Sequence, residues 1–321
     1  MLLLMFSLFA LVLLAVTYSM LHQSEDRQQS KPVGGFYVAA ADSRIFVQTM
    51  GKEDAPAIVF VHGTGAWSEI WRNSMKVAAR RGYRAIAIDL PPFGYSVPPA
   101  SGKYDKGAQA TRILAALDSM GVQKAVFVSH SIGSAPLMEA LLREPQRVNK
   151  LILICAALGL DTEQTDGADT GLQHALRHQW LAQTLSAAML TNPAFTSTLM
   201  KSFVSDKEKI TPAWVEVYQQ PLSLSGTYQA VALWLPELLA ERGTWLSDKL
   251  DSYLAVKFPV HLIWGKEDTI TPLSQAVHLK ALLSNAELTV IPGSGHVPMV
   301  ERTAEFEKVL DASLVQDEPD P

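Results

Sequence analysis

Hydrophobic and polar positions are spread unevenly along this chain. Between Leu2 and Leu21, 17 of 20 positions are apolar and none is charged. A helix of that length rises about 30 Å, the thickness of a bilayer's hydrocarbon core, and satisfies its backbone hydrogen bonds internally. Residues 1–21 are therefore expected to form a transmembrane signal-anchor, with a cleaved signal peptide and export as the alternative. No basic residue precedes the run, the run is long, and Ala15-Val16-Thr17 is a poor cleavage site. These features favour a single-pass membrane localisation, on either side of the bilayer. The polar residues 22–35 read as a tether.

From Phe36 onward, short β-rich apolar runs alternate with longer helical patterns. Strands are predicted at 36–40, 44–49, 57–61, 84–88, 125–129, 151–155, 260–264 and 287–291, and helices at 69–81, 105–120, 132–143, 274–283 and 303–314. Several strands are almost continuously apolar, as in a sheet covered on both faces. The alternation predicts an α/β domain with a mostly parallel eight-stranded sheet flanked by helices, beginning with an antiparallel hairpin. It breaks once, over 159–257. Trp180, Leu185, Met189, Trp214 and Trp234 in that stretch predict an inserted helical cap, because a structureless loop of such length is improbable in a compact domain. The core is thus 36–158 plus 258–315, and 316–321 is a frayed tail.

Composition narrows the function classes. In 321 residues, 27 basic and 32 acidic side chains leave a net charge of −5, with no basic run to attract nucleic acid. The single cysteine, Cys155, excludes an intrachain disulfide framework and a cysteine-rich zinc module. Its apolar setting reads as a buried, inert thiol. His174 and His178 stand one helical turn apart without the glutamate of a zincin pattern, so no metal is expected there.

The strongest chemical signal is Val126-Phe127-Val128-Ser129-His130-Ser131-Ile132-Gly133-Ser134. An apolar strand passes through a tight turn at Ser131 directly into a helical pattern. Such a turn holds a hydroxyl clear of the sheet and needs small neighbours where strand and helix converge. Gly133 supplies one; Ser129 stands where glycine is usual. A second signal, His62-Gly63-Thr64-Gly65, follows the strand 57–61, where glycines let backbone N–H groups turn toward a ligand.

With these pieces the chain resembles an α/β-hydrolase with a helical cap, over about 36–314. Asp89-Leu90-Pro91-Pro92-Phe93-Gly94-Tyr95-Ser96 is similar to the family's loop after the fourth strand, with Pro92 replacing a glycine. Trp264-Gly265-Lys266-Glu267-Asp268 resembles the loop of the catalytic acid, and Ile291-Pro292-Gly293-Ser294-Gly295-His296 that of the catalytic histidine. The order Ser131, Asp268, His296 is the family's chain order. The resemblance implies that Ser131 is a nucleophile, His296 its base and Asp268 the group that orients the base. Backbone N–H groups of Thr64 and Ile132 would form the oxyanion hole, with His62, Gly63, Gly133 and Asp89 as structural support. Asp161, after the sixth strand, is a rival acid. No cofactor is implied.

The expected activity is hydrolysis of a carboxylic ester, hydrophobic or lipid-derived, through an acyl-enzyme. Carbon–carbon bond hydrolysis and cofactor-free haloperoxidase or perhydrolase chemistry use the same three residue types. A ligand-binding receptor on this fold is the alternative from another class. Serine at the elbow argues against epoxide hydrolase and dehalogenase chemistry, which use aspartate there.

Overall fold

The computed structural model describes residues 2–160, 171–239 and 244–315, with the backbone alone at 2–9, 11, 173 and 239. Eight strands form one sheet: β1 (Phe36–Ala40), β2 (Ser43–Met50), β3 (Ala57–Val61), β4 (Arg84–Ile88), β5 (Ala125–His130), β6 (Val148–Ile154), β7 (Val260–Gly265) and β8 (Ala286–Ile291). Their order across the sheet is β1-β2-β4-β3-β5-β6-β7-β8. β2 pairs antiparallel with both β1 and β4, and all later pairings are parallel. Val59, Phe60, Phe127, Val128, Leu151 and Ile152 are fully buried, which explains their unbroken apolar runs.

Helices cover the sheet. α1 (Leu2–His22) precedes it; α2 (Arg72–Arg80), α3 (Lys106–Ser119) and α4 (Ser134–Arg143) link the central strands. Asp105 caps α3 by accepting from Ala108 N at 2.9 Å. Among the described residues between β6 and β7 the cap is helical: α5 (Gly171–Leu176), α6 (Gln179–Leu185), α7 (Pro193–Ser202), α8 (Pro212–Gln219), α9 (Thr227–Trp234) and α10 (Leu250–Leu254). α11 (Leu273–Leu282), α12 (Pro298–Glu301) and α13 (Thr303–Val315) complete the core. Catalytic α/β folds of this design place ligands at the carboxyl ends of the parallel strands, and the cap lies between β6 and β7 in the chain, on that end.

The N-terminal expectation needs correction. A helix does form over Leu2–His22, but among the described residues no helix is long and apolar enough to cross a membrane. The transmembrane anchor, the membrane as a partner and the membrane localisation are therefore not retained. The apolar count along 1–21 overlooked what its polar members do. Ser19 is fully buried, with its Oγ 3.4 Å from Thr191 Oγ1, and Asn192 donates to Ala15 O at 3.2 Å. The helix thus docks its last turns on the cap. The segment that follows is bonded to both cap and core: Gln23 Nε2 donates to Thr191 Oγ1 at 3.1 Å and Gln23 Oε1 accepts from Tyr228 N at 2.9 Å. Arg27 donates to Gly94 O at 3.1 Å and Thr227 Oγ1 at 3.0 Å.

Candidate active site

β5 delivers Ser131 to the site. The chain turns there with Ser131 at φ +51°, a left-handed conformation costly for a residue with a side chain and typical of a strained functional turn. A single 3₁₀ turn, Ser131–Gly133, then leads into α4. Gly133 is required: a Cβ on it would lie 2.2 Å from His62 O. Ser129 is tolerated where glycine is usual because its buried hydroxyl donates to Ser134 Oγ at 2.9 Å.

Three side chains from three strand ends meet at this turn. Ser131 Oγ lies 2.8 Å from His296 Nε2, and His296 Nδ1 lies 2.9 Å from Asp268 Oδ2. Asp268 Oδ1 accepts from Ile270 N at 2.8 Å and Thr271 N at 3.0 Å. Burial alone would raise this carboxyl's pKa, but hydrogen bonds from His296 and Thr271 outweigh it and hold the group below its usual value. Asp268 is thus an anion facing Nδ1–H, which leaves Nε2 as the acceptor toward the serine. Asp161, the rival acid, lies outside the described residues.

The supporting residues act on the backbone. Leu90 N donates to His62 Nε2 at 2.8 Å, so His62 carries its proton on Nδ1 and donates to Gly63 O at 2.8 Å. This ties the loop after β3, which carries Thr64, to the loop after β4. Asp89 in turn accepts from Ser68 N at 2.6 Å and Tyr95 N at 2.7 Å. Burial pushes its carboxyl up to about 7 against those bonds and the charge of Arg27. Gly63 has no room for a side chain: a Cβ would lie 2.7 Å from His130 Nδ1 and 2.9 Å from Ser131 Cβ. Thr64 and Ile132 flank the elbow from the two loops, Ile132 N–H being one of the amides that a helical turn leaves free at its start.

Three contributors escaped the sequence reading. Thr271 donates its hydroxyl to Asp268 Oδ2 at 2.7 Å, and its Oγ1 also stands 3.2 Å from His296 Nδ1. A threonine three residues after an aspartate in a loop is a turn signal that pointed to it. Phe203, from the cap, accepts His296 N at 2.7 Å. Glu301 accepts Gly295 N at 2.6 Å through Oε2 and Asp206 N at 2.6 Å through Oε1, fastening the histidine loop to the cap. Neither has a local cue.

His130 lies closer to the chemistry than a packing role requires. Its Nε2 donates to His296 O at 2.8 Å, and the two rings are 4.9 Å apart. Burial, with the neighbouring His296, drives its pKa down to about 3, and burial takes His62 to about 4. The unfolded chain therefore gains protons on both rings before the folded one does, and stability falls as pH drops below about 6.5, the ordinary histidine value. Asp89 works in the opposite sense, since its folded carboxyl binds its proton more tightly. Each depressed histidine removes about 2 kcal/mol between pH 7 and pH 5. His130→Leu is thus expected to lose about 2 kcal/mol less than the wild type over that interval, read from urea midpoints. Equal losses would show that the ring takes up a proton in the fold.

Cys155, Asp268 and His296 bring donor atoms within 4.8 Å of one another, the one such metal-capable group among the described residues. Two of those donors are spent on each other, and burial pushes the Cys155 thiol well up, so it stays protonated. The set fits a hydrogen-bonded relay better than a cation.

A cavity of about 360 Å³ opens beside this relay, lined by Gly63, Phe93, Ile132, Gly133, Trp234 and Trp245 among others. Residues 56–303 match the family model described as the alpha/beta hydrolase fold. The chain belongs to the α/β-hydrolase fold family. It is 28% identical over 298 residues to 2-hydroxymuconate semialdehyde hydrolase of Pseudomonas sp. (strain CF600), covering 90% of this chain and 95% of that one. In structure it is similar to a meta-cleavage product hydrolase of Pseudomonas fluorescens IP01, with a TM-score of 0.70, 20% identity and coverage of 88% and 98%. It is equally similar to a bacterial membrane phospholipase A, with a TM-score of 0.70, 21% identity and coverage of 99% and 98%. This α/β-hydrolase is a hydrolase by fold and by its relatives.

Proposed function

We propose that this α/β-hydrolase cleaves a carboxylic ester through an acyl-enzyme on Ser131. The observation that carries the reading is the unbroken relay from Ser131 Oγ through His296 to Asp268, at 2.8 and 2.9 Å. A serine hydroxyl is a weak nucleophile, and a neutral imidazole within hydrogen-bond reach takes its proton during attack. Ser131 Oγ bonds to the carbonyl carbon, and the carbonyl oxygen becomes an oxyanion held by the N–H groups of Ile132 and Thr64. His296 then passes its proton to the leaving alcohol as the C–O bond breaks. Water, deprotonated by His296, repeats the sequence and releases the acid. Asp268 stabilises the imidazolium at both stages. The complete alignment speaks against a non-catalytic receptor, in which a member of the triad is usually lost.

The charge lining the cavity favours a neutral substrate. Lys106 borders it but is paired with Asp248, and Glu237 contributes a carboxyl to the same wall, its pKa raised by burial and by Asp105. Phe93, Trp234, Leu90 and Ile132 offer apolar surface. Carbon–carbon hydrolysis is the second reading, favoured by the curated relative, whose named substrate is a carboxylic acid. A pocket whose cation is already neutralised, beside a further acid, is a poor receptor for such an anion.

A fluorophosphonate probe and a substrate panel test the proposal. Labelling of the wild type, with turnover of neutral alkyl esters well above that of 2-hydroxy-6-oxo-dienoates, supports it. Faster cleavage of the dienoates would replace it with the second reading, and a folded chain that resists the probe would overturn both.

A further inference from the structure

The segment between α1 and β1 runs along the seam between cap and core, and the Arg27 side chain bridges the two. Its Nη1 donates to Gly94 O at 3.1 Å and Ser96 O at 3.3 Å, both in the core loop after β4. Its Nη2 donates to Thr227 Oγ1 at 3.0 Å and Ser225 O at 3.4 Å, both at the start of α9 in the cap. We infer that Arg27 is a positioning residue for the active-site cavity: its two prongs set the spacing between α9 and the loop after β4, and so hold the aromatic wall of Trp234 and Phe93 in place. The inference goes beyond the ester reading and holds whichever bond is cleaved.

The chemistry of the side chain supports a bridge rather than an ion pair. All four acceptors are uncharged oxygens. The side chain is half-buried and desolvation lowers its pKa, so this is not an ordinary solvated surface charge. What arginine offers here is a planar fork with donors in fixed directions. One nitrogen serves the core and the other serves the cap. A lysine ammonium is a single point and reaches only one of them.

The neighbouring residues fasten the same seam. Glu25 N donates to Ser223 O at 3.1 Å, and Glu25 O accepts Ser225 N at 3.0 Å. Tyr37 Oη, from β1, stands 3.1 Å from Arg27 O and from Tyr95 O. Tyr95 and Leu224, each next in the chain to residues that Arg27 grips, pack in one buried cluster with Phe46 and Trp67. Trp67 extends the loop that carries Thr64, and its Nε1 donates to Val217 O of the cap at 2.7 Å.

From this seam to the cavity is one short helix. α9 begins at Thr227 and ends at Trp234, whose ring meets Phe93 edge-on at 5.0 Å. Phe93 is the residue before Gly94, and both rings line the large cavity. Arg27 thus holds the far end of the helix that carries one ring and the residue beside the other. The relay of Ser131, His296 and Asp268 hangs on loops after other strands, so its alignment does not depend on this bridge.

Fluorophosphonates with short and long alkyl chains separate the wall from the relay, because both need the serine and only the long one needs the cavity. With the purified full chain, Arg27→Met should raise KI for the long-chain probe at least about tenfold, as for loss of bonds from a charged donor, while kinact and the short-chain labelling rate stay within about twofold. Arg27→Lys keeps the charge but cannot span both bodies, and should match Arg27→Met. Hydrogen exchange should quicken in α9 and at residues 94–97 in both variants, and stay unchanged in β5 and β6. Thr227→Val removes one cap-side acceptor at near-constant volume and should raise the same KI about threefold, which keeps the test open if the arginine variants fail to fold. An unchanged KI, a lysine variant equal to the wild type, or faster exchange confined to residues 22–30 would overturn the inference. A folded wild type that neither probe labels would overturn the proposed function instead, and the exchange pattern would then decide the role of Arg27.

Discussion

Ser131→Ala should lower kcat by about 10⁶ on any ester that the wild type turns over, the loss seen when a serine nucleophile is removed from a comparable triad. The size of the effect comes from the dependence of every step on one atom. Without Oγ no covalent intermediate forms, and the imidazole has no proton to take from a bound nucleophile. What should survive is the acceleration that the proposed oxyanion amides of Thr64 and Ile132 and the cavity lend to direct attack by water, about 10³–10⁴ over solution. The backbone at this position is already left-handed, at φ +51°, and alanine meets the same steric cost there as serine, so the elbow keeps its shape. Circular dichroism and the thermal midpoint should therefore match the wild type while fluorophosphonate labelling disappears. A loss of only tenfold, or continued labelling, would place the nucleophile elsewhere.

What was legible beforehand divides along physical lines. Strands such as Ala57–Val61 and Arg84–Ile88 appear at the expected residues because burial on both faces leaves an unbroken apolar run. Helix starts are displaced where a 3₁₀ turn intervenes: the pattern from Glu69 begins as Ser68–Trp71 before α2, and that from Ile132 as Ser131–Gly133 before α4. An apolar period cannot distinguish the two kinds of turn. That Ser131, Asp268 and His296 would come together was readable because each sits in a short loop directly after a strand. Phe203 was not, because it reaches the histidine loop from the cap, and Glu301, only six residues beyond the Gly295 amide it accepts from, was not because a lone glutamate at the end of a short helix carries no distinguishing pattern. The N-terminal helix failed for the opposite reason. Its composition spoke loudly, but a hydropathy sum gives no weight to Ser19 or Gln23, whose bonds to Thr191 fix where the helix lies.

Asp268→Asn should lower kcat by about 10⁴, by the measure of the same substitution in an analogous triad, with little change in stability. The geometry dictates the sign. Oδ1 accepts two backbone amides, from Ile270 at 2.8 Å and Thr271 at 3.0 Å, so the asparagine carbonyl must occupy that position. Its NH₂ group then replaces Oδ2 and presents a donor to His296 Nδ1, 2.9 Å away. Nδ1 can meet a donor only as an acceptor, which moves the ring proton to Nε2. There it faces Ser131 Oγ at 2.8 Å, and the imidazole can no longer accept the hydroxyl proton. The lost negative charge also leaves the imidazolium unsupported in a site where Asp268 and His296 are both buried. A pH–rate profile checks the account, because the defect lies in the ring's tautomer and should persist across the plateau where the wild type is fully active. A variant that keeps its activity within tenfold would show that another carboxylate orients His296, and Asp161 would be the next residue to replace.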